Sequence, residues 1–199
     1  MPKLSGVFDI FENLESIPYE DIARWLKPAP QQEVLENYLA NRIIYPQVTP
    51  STLIEQEYDL AILREALRRN PIFYKINQKK IFIPSDFLQI TPDIKKLASV
   101  FIDAYSPSGI VVFILSTGTG DKVLGSLVTV SSSASDTLHF ELEGQNYKLK
   151  SGSLIVLPCP KEHCHVSFKS TNSKIFGKNE LLFEIPGGAL GLIIDGRLK

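Results

Sequence analysis

Apolar residues recur along this chain with two different periods, and the period changes near the middle. In the first part they return every three or four positions, the spacing of one helix face. Ser16 to Leu26 carries Ile17, Ile22 and Trp25, with Glu20 and Asp21 where carboxylates favour a helix N-terminus, and Lys27-Pro28 ends the run. Gln31 to Asn41 sets Val34, Leu35, Tyr38 and Leu39 on one face. After the loop punctuated by Pro46 and Pro50, Ser51 or Thr52 caps a third helix with Glu55 as the capping-box partner. Leu53, Ile54, Tyr58, Ala61, Ile62 and Leu67 recur at helical spacing within it, and Asn70-Pro71 ends it. The middle reads as a strand over Lys80 to Ile83, a helix over Pro92 to Tyr105, and strands over Ile110 to Leu115 and Val123 to Val130.

From residue 136 the pattern is that of strands alone. Thr137 to Leu142 and Tyr147 to Leu149 flank Glu143-Gly144-Gln145-Asn146, which reads as a hairpin with Gly144 in its turn. Leu154 to Leu157, His163 to Phe168, Leu181 to Ile185 and Leu190 to Ile194 follow as short strands. The fold class expected is α+β: a helical N-terminal part, an α/β middle and a small C-terminal antiparallel β-sandwich or barrel, since closure removes exposed edges. The serine stretch Ser131 to Ser135 is the expected boundary, between a region 1–130 and a β-module 136–199.

Composition narrows the function classes. With 44% hydrophobic and 22% charged residues the chain is neither disordered nor membrane-embedded, and no segment has the ~18 apolar residues that span a bilayer. A net charge of -1 gives no reason to expect nucleic acid. Residues 1 to 20 contain Asp9, Glu12, Glu15 and Glu20 and lack a basic flank followed by an apolar run, so a cytoplasmic location is expected, with reduced cysteines.

Chemistry-bearing residues gather in Cys159-Pro160-Lys161-Glu162-His163-Cys164-His165. On a strand from His163, His163 and His165 point the same way, Cys159 could reach them from the preceding turn, and His139 could complete a tetrahedral shell. Cys159, His163, Cys164 and His165 are therefore candidate metal ligands, set against packed cysteines and surface histidines. The absence of a Cys-x-x-Cys pair favours the second reading. Thr117-Gly118-Thr119-Gly120 joins two strands and lacks a lysine, so it reads as a turn rather than a phosphate cradle. Glu55, Glu57, Arg64, Glu65 and Arg68 read as a solvated helix face, with Glu65 paired to Arg69. No pair of residues makes a case for catalysis.

The closing stretch Gly187-Gly188-Ala189-Leu190-Gly191-Leu192-Ile193-Ile194-Asp195-Gly196-Arg197 pairs a buried strand with glycines that allow close backbone approach, and Asp195 with Arg197 as an ion pair. Upstream, in order, stand Trp25-Leu26, Asn37-Tyr38-Leu39-Ala40-Asn41-Arg42, Ile54-Glu55-Gln56, Arg64-Glu65-Ala66-Leu67-Arg68, Phe101-Ile102-Asp103-Ala104 with Pro107-Ser108-Gly109, Val123 to Leu127, and Gly152 to Pro158. Together these elements resemble the C-terminal region of the MutL-like accessory proteins of the glutamate mutase system, chloroflexal-type relatives within the actin-like ATPase superfamily. The family's ATPase half opens on an Asp-x-Gly-Ser-Thr phosphate loop. This sequence contains no Asp-x-Gly-Ser, and it lacks the family's Arg-Gly-Arg-Pro ending, so no ATP-contacting residue carries over. The resemblance implies a non-enzymatic accessory or assembly protein, the detached tail of such a protein, without cofactor, whose partner is a protein and specifically an actin-like ATPase. The alternative from the residues alone is a small metal-binding β-protein.

Overall fold

The computed structural model describes Leu14 and residues 17–69, 74–75, 80–130, 137–169 and 180–197. The chain mixes helices and strands and divides into two compact units, Met1–Lys75 with Phe82–Ser106, and Ile76–Ile81 with Pro107–Lys199. The Ser131 to Ser135 stretch, where the sequence suggests a boundary, lies outside the described residues, as does Asn70-Pro71. Two short strands, β1 (Tyr74–Lys75) and β2 (Lys80–Pro84), lie where the chain passes in sequence from one unit to the other.

The first unit holds α1 (Tyr19–Ala23), α2 (Gln32–Ile44), α3 (Leu53–Arg69), a 3-10 turn (Ser85–Gln89) and α4 (Ile94–Tyr105). The capping box forms: Glu55 N donates to Thr52 Oγ1 at 3.1 Å, and Thr52 N donates to Glu55 Oε2 at 3.2 Å. These bonds satisfy backbone donors that a helix start leaves open. The Asp93 side chain accepts from Lys95 N and Lys96 N to start α4, and Ser106, left-handed at φ 43, ends it. Leu60, Ile62, Leu63 and Leu67 of α3 and Leu97, Phe101 and Ile102 of α4 are buried. Each such side chain contributes about 1.5–3 kcal/mol by leaving water. The sequence pattern misplaces Val34 of α2 and Leu53 and Ile54 of α3, which belong to the helical repeats but are exposed.

The second unit contains β3 (Ile110–Thr117), β4 (Gly120–Thr129), β5 (Thr137–Leu142), β6 (Gln145–Lys150), β7 (Leu154–Lys169) and β8 (Glu180–Asp195). From β3 onward they run β3-β4-β8-β7-β5-β6, an open row. The expected closed sandwich or barrel of antiparallel strands is thus corrected on two counts. The sheet is not closed, and β4 pairs with β8 in parallel, Gly125 opposite Gly191 through Thr129 opposite Asp195. The β5–β6 hairpin turns on Glu143 (φ 50) and Gly144 (φ 81), the two positive φ angles of a type I′ turn.

The other correction concerns strand length. Leu154 to Leu157 and His163 to Phe168 are one strand, β7, and Leu181 to Ile185 and Leu190 to Ile194 are one strand, β8. Prolines 158, 160 and 186 suggest breaks, yet they fall where the ladder between β7 and β8 is irregular. Cys159 faces Gly188 and His163 faces Pro186, so three residues of β7 oppose Gly187 alone. A Cβ on Gly187 would lie 2.2 Å from Lys161 O and 2.5 Å from Cys159 Sγ. At a second irregularity Gly191, at φ 76, would place a Cβ 2.2 Å from Leu157 O. Glycine is what lets two long strands stay paired through these bends. One face of the sheet carries the unit's core, including Val128, Phe140, Val166, Phe168, Leu192 and Ile194.

Candidate functional site

Strand alternation and the bulge decide the fate of the Cys/His cluster. Cys159 and Cys164 are five positions apart, which in a regular strand would put them on opposite faces. The ladder is irregular between them, so strict alternation does not hold, and both are buried in the core, with Cα atoms 6.2 Å apart, and joined in a disulfide. The expected reduced thiols are corrected accordingly. His163 and His165, one position to either side of Cys164, project from the opposite, exposed face: His163 Nδ1 is 3.7 Å from Glu184 Oε1, and His165 Nδ1 is 3.5 Å from Glu143 Oε1. His139 sits on β5 opposite Lys169, away from both. The four candidate metal ligands are therefore divided between two faces, and no three His, Cys, Asp or Glu residues converge among the described residues. Hydrogen bonds from the Lys161 ammonium and the His165 backbone N–H hold the Glu143 carboxyl down at about 2.

The closing motif is built into the sheet. Asp195 is buried and accepts from Arg197 Nε at 2.9 Å, Arg197 NH2 at 3.0 Å and Arg197 N at 3.0 Å. Gly187 sits against the bulge, Gly188 against the Leu124 carbonyl and Gly191 against Leu157, all backbone packing positions.

Two charge clusters of the helical unit go beyond the sequence reading. Arg42 and Asp59 form a buried bidentate pair, Nε to Oδ1 at 2.9 Å and NH2 to Oδ2 at 2.8 Å, to which Tyr38 donates at 2.8 Å. Burial pushes the Asp59 carboxyl up to about 6 against the pull of Arg42, and burial beside Asp59 raises the Tyr38 hydroxyl, keeping it a donor. Arg42 NH1 also donates to the carbonyls of Tyr45 and Val48, fastening the α2–α3 connection. A signal was present: Tyr38 and Arg42 are spaced i, i+4, and Asp59 lies in the apolar stripe of α3. Glu65 corrects the expectation of a solvated face. It is fully buried and accepts from Arg24, Trp25, Arg68 and Arg69. Burial alone would raise its carboxyl, but these donors outweigh it and hold the group at about 2.

The exposed apolar side chains are unevenly distributed. Among the described residues, Val34, Ile44, Tyr45, Val48, Leu53 and Ile54 of the helical unit are exposed, against Val123 and Leu182 in the other. Leu53 is 74% and Ile54 64% exposed, and they border a cleft of about 370 Å³ that also includes Trp25, Pro28, Pro30 and Tyr58. Tyr45 and Val48 border a second cleft, of about 220 Å³, with Tyr38 and Pro50. Clustered apolar exposure of this kind marks interaction surfaces more often than isolated residues do. No protein-family model, curated protein or solved structure matches the chain.

Proposed function

We propose that this chain is a non-enzymatic accessory or assembly protein that acts through protein–protein contacts. The supporting observation is the concentration of exposed apolar side chains between Val34 and Ile54, on a unit whose own core is already filled by Leu35, Leu60, Ile62 and Leu63. Leu53 and Ile54 follow the helical repeat without being covered, as expected of a face that a second protein completes. The sequence resemblance supplies the identity of the partner: an actin-like ATPase to which this chain contributes the part of a MutL-like accessory protein that lies outside the ATPase half. No described helix is long and apolar enough to cross a membrane. A cytoplasmic location remains part of the proposal, although disulfides such as Cys159–Cys164 are found mostly in oxidising compartments.

The test is affinity capture of the full chain from its source organism. An actin-like ATPase recovered in stoichiometric amount, and lost with Ile44→Glu and Leu53→Glu, is the expected result. A strictly solitary monomer overturns the proposal.

A further inference from the structure

The Cys159–Cys164 disulfide spans the least regular part of the ladder between β7 and β8. Residues 154–157 of β7 pair in register with 192–195 of β8, and residues 163–169 pair with 180–186. Between these two stretches the one paired position is Cys159 opposite Gly188, with a register shift on either side of it. The disulfide ties that isolated position to Cys164, which lies in the regular ladder opposite Ile185.

Other fastenings of residues 158–162 are weak. Pro158 and Pro160 have no N–H to give to a ladder. The Lys161 ammonium donates to Glu143 Oε2, but its side chain is 66% exposed, and ion pairs so open to water hold little. Pro158, Pro160, Lys161 and Glu162 are exposed, whereas Cys159 and Cys164 are each 1% exposed. A Cβ at position 187 would lie 2.2 Å from Lys161 O and 2.5 Å from Cys159 Sγ, so the closed segment lies tight against Gly187. The flanking ladders and a core that includes Val166, Phe168, Leu192 and Ile194 do not depend on the bond, which closes a loop of only a few residues and constrains the unfolded chain little.

We propose that the Cys159–Cys164 bond is a redox-sensitive latch: oxidised, it holds residues 158–162 closed against Gly187; reduced by a dithiol, it releases that segment while both flanking ladders stay paired. A thiolate of the dithiol attacks one sulfur of the pair, and a mixed disulfide forms as the Cys159–Cys164 bond breaks. The other cysteine leaves as a thiolate and takes up a proton. The second thiol of the reductant then attacks the mixed disulfide, releases the remaining cysteine and leaves the reductant as a disulfide, so two electrons and two protons pass to the chain. Burial of both sulfurs makes each exchange wait on local opening of the segment. In the cytoplasm, where this chain is proposed to reside, disulfides are mostly transient or redox-sensing. The latch goes beyond the partner-binding reading and does not depend on it.

The test uses the full chain in its oxidised form, treated with dithiothreitol without denaturant. Mass spectrometry after alkylation should show two free thiols. Hydrogen exchange over residues 159–164 and cleavage after Lys161 by a lysine-specific protease should both become faster on the order of tenfold, while exchange at 166–168 and 192–194 stays unchanged. Reoxidation with glutathione disulfide should restore the slow rates. The double variant Cys159→Ser with Cys164→Ser should behave as the reduced chain and ignore dithiothreitol; should it fail to fold, the reduced native chain carries the test by itself. Each of four results would overturn the proposal: a bond that reduces only after urea unfolds the chain, full reduction that leaves both rates unchanged, faster exchange that spreads through 166–168 and 192–194, or a folded serine variant that still responds to dithiothreitol.

Discussion

Replacing Glu65 with glutamine tests whether the buried carboxylate organises the helical unit. Glu65 Oε2 accepts from Arg24 NH2 at 2.6 Å and Trp25 Nε1 at 3.3 Å, and Oε1 accepts from Arg68 NH2 at 2.6 Å and Arg69 Nε at 2.9 Å. Glutamine keeps the shape but sets an NH2 group against guanidinium donors and removes the charge they share. Lowering the carboxyl from 4.5 to about 2 corresponds to about 3 kcal/mol of stabilisation. Arg24 and Arg68 are each 42% exposed and Arg69 34%, so water screens part of this, and about 2 kcal/mol is expected at neutral pH. The sign with pH follows from the depressed value: the stabilisation is full above pH 4.5 and is lost as pH falls toward 2, because the unfolded chain takes up the proton first. Trp25 is the chain's one tryptophan and bonds to Glu65, so its fluorescence during urea unfolding reports this unit. The difference between native protein and Glu65→Gln should be about 2 kcal/mol at pH 7 and shrink toward zero near pH 2. A difference below about 0.5 kcal/mol at pH 7, or one that stays constant from pH 7 to pH 2, refutes the reasoning.

Three further outcomes follow. Arg42→Met, which strands the buried Asp59 carboxylate, should cost about 3–5 kcal/mol in urea unfolding at pH 8, and less at pH 5, where Asp59, already pushed up to about 6, takes a proton; equal losses at the two pH values count against it. Gly191→Ala should lower stability by about 1–3 kcal/mol, since φ 76 and a Cβ 2.2 Å from Leu157 O force backbone movement; an unchanged melting curve would contradict the bulge geometry. Thiol alkylation of the unfolded, unreduced chain should label neither cysteine, and the double variant Cys159→Ala with Cys164→Ala should lose about 2 kcal/mol, the value for so short a closed loop; two labelled thiols would show that the pair is not bonded.

Local rules are legible in this sequence where neighbours in the chain decide the outcome. The Thr52/Glu55 capping box and the Glu143-Gly144 turn involve residues within four positions of one another, and hydrophobic period alone places α2, α3, α4 and most of the strands. Strand continuity was not legible, because proline rules describe a regular ladder, and a bulge suspends them. Whether Cys159 and Cys164 meet, and whether His163 and His165 join them, depends on the irregular backbone of β7 between Leu157 and His163, which only pairing with β8 fixes. The candidate ligands lie together in sequence, and the sheet separates them.

Burial of charge shows the same division. Alternating acids and arginines on α3 predict a wet face when the helix is taken alone, yet Glu65 is enclosed because α1 brings Arg24 and Trp25 over it from forty residues away. The sequence by itself determined which segments become helices and strands, since those choices cost or gain energy within a few residues. Only the tertiary structure decided which strands neighbour one another, which charges are enclosed, and which apolar residues stay uncovered, because these depend on contacts between segments that no local pattern records.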